Sequence, residues 1–142
     1  MKYLKLNKEI SNKELYEILA NNWDNTLPSI KVGTVDGLFN NYILLPASHN
    51  FMIVCFVTKS LFSKKSNLFL SYMFIPDKLK HVMLNTLYEQ SSFRSPALNY
   101  VSSREDEINR IVKNMLSIYM ETIENILRDN NLLEEKGKQK IK

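Results

Sequence analysis

Phe51-Met52-Ile53-Val54-Cys55-Phe56-Val57-Thr58 and, a short polar stretch later, Asn67-Leu68-Phe69-Leu70-Ser71-Tyr72-Met73-Phe74-Ile75 decide how this chain folds. Both runs have strand length and are rich in aromatic and β-branched side chains. An antiparallel strand with one face in water alternates apolar and polar residues. These two do not. Leu68, Leu70, Tyr72 and Phe74 share one face of the second run, and Phe69, Met73 and Ile75 share the other, with only Ser71 to break it. Two apolar faces need two covers, because large exposed apolar patches are rare in monomers.

The segment between them, Lys59-Ser60-Leu61-Phe62-Ser63-Lys64-Lys65-Ser66, is too short for a parallel crossover, so the two runs pair antiparallel. Upstream, Ala47-Ser48-His49-Asn50 reads as a turn and Tyr42-Ile43-Leu44-Leu45 as a strand halted at Pro46. Ile30, Val32 and Thr34 alternate with Lys31, Gly33 and Val35, and Asp36-Gly37 is a hairpin signal, since both residues tolerate positive φ. Earlier still, Ser11-Asn12-Lys13-Glu14 has the form of a capping box. Leu15, Ile18, Leu19 and Trp23 follow at helical spacing, which predicts a helix from about residue 12 to 23. Leu4 and Leu6 alternate with Tyr3 and Lys5 as a short first strand.

Downstream, Pro76-Asp77 ends the sheet and opens a helix whose apolar face is Leu79, Val82, Met83 and Leu87. Ser91 to Tyr100, with Pro96, reads as a connector. Ser102-Ser103-Arg104-Glu105 is a second capping box, and Glu105, Asp106 and Glu107 suit a positive helix N-terminus. The last helix reaches about residue 130, with Asp106/Arg110 and Glu124/Arg128 as i,i+4 pairs on its wet side. The order is β-α-β-β-β-β-α-α. It predicts the α+β class: an antiparallel sheet, helices packed on one face and a long C-terminal helix. Residues 1–133 form one domain, and 134–142 read as a flexible Lys-rich tail.

The composition is that of an ordinary globular domain: 142 residues, 44% hydrophobic and 24% charged. Of the net +4, half comes from the tail, where four lysines face Glu134 and Glu135. The remainder is nearly balanced, which makes a weak case for a nucleic-acid surface. Cys55 is the sole cysteine, so no disulfide forms within the chain. Set in an apolar run it acts as a small buried hydrophobe and suits a reducing cytoplasm. No apolar stretch approaches the about 20 residues that span a bilayer, and residues 1–9 lack the apolar core of a signal peptide. The expected location is the cytoplasm.

No glycine-rich phosphate loop, nucleophile elbow, His-Glu-x-x-His or Cys-x-x-Cys occurs. His49 falls in a turn and His81 on a helix, neither with metal-ligand spacing. The sequence therefore points away from an enzyme and from any cofactor. It points to a protein-interaction or regulatory module, a homodimer or the partner of another protein. The candidate interface residues are Phe69, Tyr72, Met73 and Phe74 of the last strand with Met115, Ile118 and Tyr119 of the last helix. The alternative for the same surfaces is a pocket for a small apolar molecule or lipid between sheet and C-terminal helix. A third reading places an anion, such as nucleic acid, against Lys59, Lys64 and Lys65.

Overall fold

The computed structural model describes residues 2–33, 41–59, 62–88 and 103–134. The elements run β1 (Lys2–Lys5), α1 (Asn12–Asn22), β2 (Lys31–Gly33), β3 (Tyr42–Pro46), β4 (Phe51–Lys59), β5 (Ser66–Phe74), α2 (Asp77–Tyr88) and a C-terminal helix. That helix is built from α-helical Arg104–Glu107, a π-helical turn Ile108–Val112 and α-helical Lys113–Asp129. The α+β order read from the sequence is the order observed. The sheet is antiparallel throughout, ordered β1-β5-β4-β3-β2.

β4 and β5 form its spine, paired from Phe51↔Phe74 to Lys59↔Ser66. On the first face Ile43, Leu45, Ile53, Cys55, Leu68 and Leu70 pack against Leu15 and Leu19 of α1 and Met115, Tyr119 and Ile123 of the C-terminal helix. Each large side chain buried there contributes about 1.5–3 kcal/mol. α2 departs from the expected placement. It lies on the second face, where Leu79 and Met83 pack with Leu44, Met52, Val54 and Ile75. The reason is the two-sided apolarity of β4: Met52 and Val54 point away from α1 and need a cover of their own. Val82, expected on the apolar side of α2, is 39% exposed. The buried stripe runs through Leu79, Met83, Thr86 and Leu87, and the Thr86 hydroxyl donates to the Val82 carbonyl at 2.8 Å.

The starts of α1 and of the C-terminal helix are capped. At Ser11 the box is complete, with Glu14 N–H donating to Ser11 Oγ at 3.1 Å and Ser11 N–H to Glu14 Oε1 at 3.2 Å. The second cap is Ser103 rather than Ser102, its hydroxyl oxygen accepting from Asp106 N–H at 3.1 Å. Asp106–Arg110 and Glu124–Arg128 pair at 3.0 and 2.7 Å. After the helix the chain returns to β1. Asn7 N–H donates to the Leu132 carbonyl at 2.8 Å and Glu134 N–H to the Lys5 carbonyl at 3.0 Å, around a Leu6↔Leu133 bridge. Glu134, expected to begin the tail, is thus tied to β1. Residues 135–142, the Asp36-Gly37 hairpin and the Ser91–Tyr100 connector lie outside the described residues.

A polar clasp closes one end of the sheet. Glu107 is 1% exposed. Its Oε2 accepts from the Ser48 hydroxyl and from Asn50 N–H at 3.1 Å, and its Oε1 from Asn50 Nδ2 at 2.9 Å. Asn50 Oδ1 in turn accepts from Lys80 Nζ of α2 at 3.4 Å. The turn between β3 and β4 therefore joins the helix on one face to the helix on the other. Glu107 sits on the same four-residue ladder as buried Ile111, Met115, Tyr119 and Ile123. The π turn adds roughly one residue to the helical repeat and so rotates position 107, rather than 108, onto that stripe.

Two predictions follow from these buried groups. Glu107→Ala strands the Ser48 hydroxyl and the Asn50 amides, and is expected to cost about 2–4 kcal/mol, with Glu107→Gln losing about half as much. Urea midpoints at constant m measure both. Burial also pushes the Cys55 thiol above its ordinary 9.0 and the Tyr119 phenol above its ordinary 10.0, because a charge there would be stranded among apolar groups. The unfolded chain ionises at the ordinary values while the native chain stays protonated. Stability is therefore whole below pH 9.0 and falls as pH rises past 9.0 for Cys55 and past 10.0 for Tyr119, each group's loss approaching about 1.4 kcal/mol per pH unit. Cys55→Ala should flatten that first decline, and Cys55 should resist thiol reagents until the chain unfolds.

Candidate functional site

Among the described residues α2 covers only part of the second face. Beside it an aromatic row crosses four strands at one level of the sheet. Tyr3 of β1 pairs with Phe69 of β5, Phe69 with Phe56 of β4, and Phe56 faces Tyr42 of β3. The ring centroids are 6.0, 5.6 and 4.5 Å apart, with interplanar angles of 31°, 25° and 12°. Rings stacked this closely reinforce one another beyond their buried area. Tyr3 is 54% exposed, while Phe69, Phe56 and Tyr42 are half-buried. The row thus forms a half-buried apolar ribbon whose ring faces are partly spent on neighbouring rings. One row along, Lys5, Asn67 and Thr58 pair across β1, β5 and β4 and supply a polar border.

The residues singled out in the sequence fall in three places. Phe69 and Met73 lie on the second face, Phe69 in the row and Met73 against the α2 cluster. Tyr72 and Phe74 lie on the first face. Phe74 is 53% exposed, stacks on Phe51 at 4.7 Å and carries the Arg104 guanidinium 4.9 Å from its ring centre. Met115 and Tyr119 are wholly buried and Ile118 packs at the core's margin. The Tyr119 hydroxyl donates to the Pro46 carbonyl at 2.7 Å, and its ring stacks with Trp23 at 6.2 Å. Of the walls that an apolar pocket between sheet and C-terminal helix would use, Phe51, Ile53, Leu70, Met115 and Tyr119 are packed in one core cluster, and Tyr72 lies partly buried at its edge.

The three loop lysines are not equivalent. Lys59 lies 3.9 Å from a Glu9 carboxylate oxygen and Lys65 lies 3.8 Å from one of Glu134, while Lys64 is exposed. Both ion pairs are largely solvated and worth little in stability, yet each lowers the local positive potential. His81 contacts Asn85 Nδ2 at 3.0 Å. Among the described residues no three His, Cys, Asp or Glu side chains gather as a metal site would need, and no helix is long and apolar enough to cross a membrane.

Tyr3, Tyr42 and Phe56 escaped the sequence reading as site residues. Their alternation is visible in each strand, but their alignment depends on the register of three strand pairs, which the sequence does not supply. Glu107 left a clearer mark: it stands four residues before Ile111 on an apolar ladder, where a buried acid requires polar partners. Comparison with protein-family models, with curated proteins and with solved structures found no match to this chain.

Proposed function

We propose that this chain is a non-enzymatic protein-interaction module of the cytoplasm, acting as a homodimer in which the second sheet faces of two copies meet across the aromatic row. The observation that carries this reading is the Tyr3–Phe69–Phe56–Tyr42 stack, an apolar ribbon across four strands beside a polar border. A two-fold contact places the same patch on both partners. A straight ribbon of one composition is complementary to itself when turned about such an axis. Aromatic side chains at the centre with polar groups at the rim are the usual anatomy of an interface. The free thiol of Cys55 suits a reducing compartment.

Two other readings have less support. Single-stranded nucleic acid stacks its bases on open aromatic faces, and here the inner faces are taken by neighbouring rings. An apolar ligand in the core between sheet and C-terminal helix would have to displace Ile53, Leu70, Met115 and Tyr119, which already fill it.

Sedimentation velocity at micromolar concentrations is the test. The wild-type chain should sediment as a dimer. Phe69→Lys, which sets a charge in the middle of the ribbon, should weaken dimerisation at least tenfold, about 1.4 kcal/mol, with an unchanged circular-dichroism spectrum. Val82→Ser, on the exposed side of α2, should leave the dimer intact. A wild-type chain that stays monomeric, or a Phe69→Lys variant that dimerises as before, overturns the reading.

A further inference from the structure

Among the described residues β1 pairs with β5 from Lys5↔Asn67 to Lys2↔Leu70, and Ser71–Phe74 of β5 extend beyond that pairing. Lys2 pairs with Leu70, and Tyr72 is the next β5 residue on that first face. The C-terminal helix passes over this end of the sheet with Lys113, Leu116 and Ser117, positions i, i+3 and i+4 of one helical face. The result is an open hollow of about 430 Å³ lined by Lys2, Tyr72, Lys113, Leu116 and Ser117. That lies within the roughly 300–1,000 Å³ of small-molecule sites.

The chemistry of the lining is one-sided. It brings two ammonium groups, two hydroxyls and no carboxylate. Elsewhere on the surface Lys59, Lys65, Arg110 and Arg128 each have an acidic partner. Among the described residues neither Lys2 nor Lys113 has one, and the Tyr72 hydroxyl has no hydrogen-bond partner. Four donors of this kind, beside an apolar wall made by Leu116 and the Tyr72 ring, match an anion rich in acceptor oxygens that carries a small apolar group. A phosphate monoester has three such oxygens and about two negative charges. We propose that the hollow between β1, β5 and the C-terminal helix binds a small soluble phosphate monoester, with Lys2 and Lys113 on the phosphate, Tyr72 and Ser117 donating to it, and the organic group against Leu116. This site lies on the first sheet face and stands or falls independently of the aromatic row.

Amide chemical-shift titration of the full chain with phenyl phosphate is the experiment, with inorganic phosphate and sodium chloride at matched ionic strength alongside. Saturable shifts at Lys113, Leu116 and Ser117, tighter for phenyl phosphate than for inorganic phosphate, are expected. The double variant Lys2→Gln/Lys113→Gln should bind at least tenfold more weakly while keeping the wild-type spectrum elsewhere. Unsaturating shifts that sodium chloride reproduces mean an adventitious ion only and overturn the proposal. So does a double variant that binds phenyl phosphate as tightly as the wild type. Binding to phosphatidylcholine vesicles containing phosphatidic acid, with no response to phenyl phosphate, overturns the soluble ligand in favour of a lipid headgroup.

Discussion

The rest of the molecule is arranged around one constraint: the nine-residue β4–β5 ladder is apolar on both sides and must be covered on both. α1 and the C-terminal helix together roof the first face, and their side chains close the main core. Among the described residues the second face is covered by α2 alone. A helix is about 10–12 Å across, whereas five strands spaced about 4.8 Å apart make a sheet roughly twice that width. One helix therefore cannot cover such a sheet. α2 takes the part over Leu44, Met52 and Val54, and the aromatic row is what remains beside it. The site proposed for dimerisation is thus a geometric remainder, and its aromatic content suits a surface that is apolar yet only half-buried.

The Glu107 clasp complements that arrangement. Hydrophobic burial is non-directional, so two covers on opposite faces can slide with little change in buried area. The Ser48–Asn50 turn removes that freedom, because its groups accept and donate at fixed positions to Glu107 on one side and Lys80 on the other. A buried polar contact of this kind adds little net stability when satisfied and much specificity of register. Tyr119 works in the same sense one strand away, its hydroxyl fixed on the Pro46 carbonyl.

Local signals were readable from residues close together in sequence, and relations between distant residues were not. The Ser11 box, the Asp106/Arg110 and Glu124/Arg128 pairs and the run of antiparallel strands all depend on neighbours within a few positions, and all are present. The choice between Ser102 and Ser103 as cap was off by one, since adjacent serines differ only in which of them leaves the helical backbone. The side on which α2 packs was not legible, because amphipathicity says that a helix has an apolar stripe and not which face will receive it. In the candidate site, Phe69 and Met73 were legible as surplus apolar residues on β5. Their companions Tyr3, Phe56 and Tyr42 were not, because strand register assembles them. Glu9 and Glu134, which meet Lys59 and Lys65, are likewise remote in sequence from the loop they neutralise.

The return of residues 132–134 to the edge of β1 also sets an order on the folding of a newly made chain. β3, β4 and β5 are successive and can zip together as soon as they are synthesised. β1 is made first, yet its partners are β5 and the segment beyond the last helix. Contacts that span most of the chain carry the largest loop-closure cost and form late. Until they do, the outer edge of β5 carries unpaired backbone groups beside Phe69 and Leu70, the kind of edge that recruits strands from other molecules. The nascent chain is thus most vulnerable to aggregation in the interval between completing β5 and docking β1 along its edge.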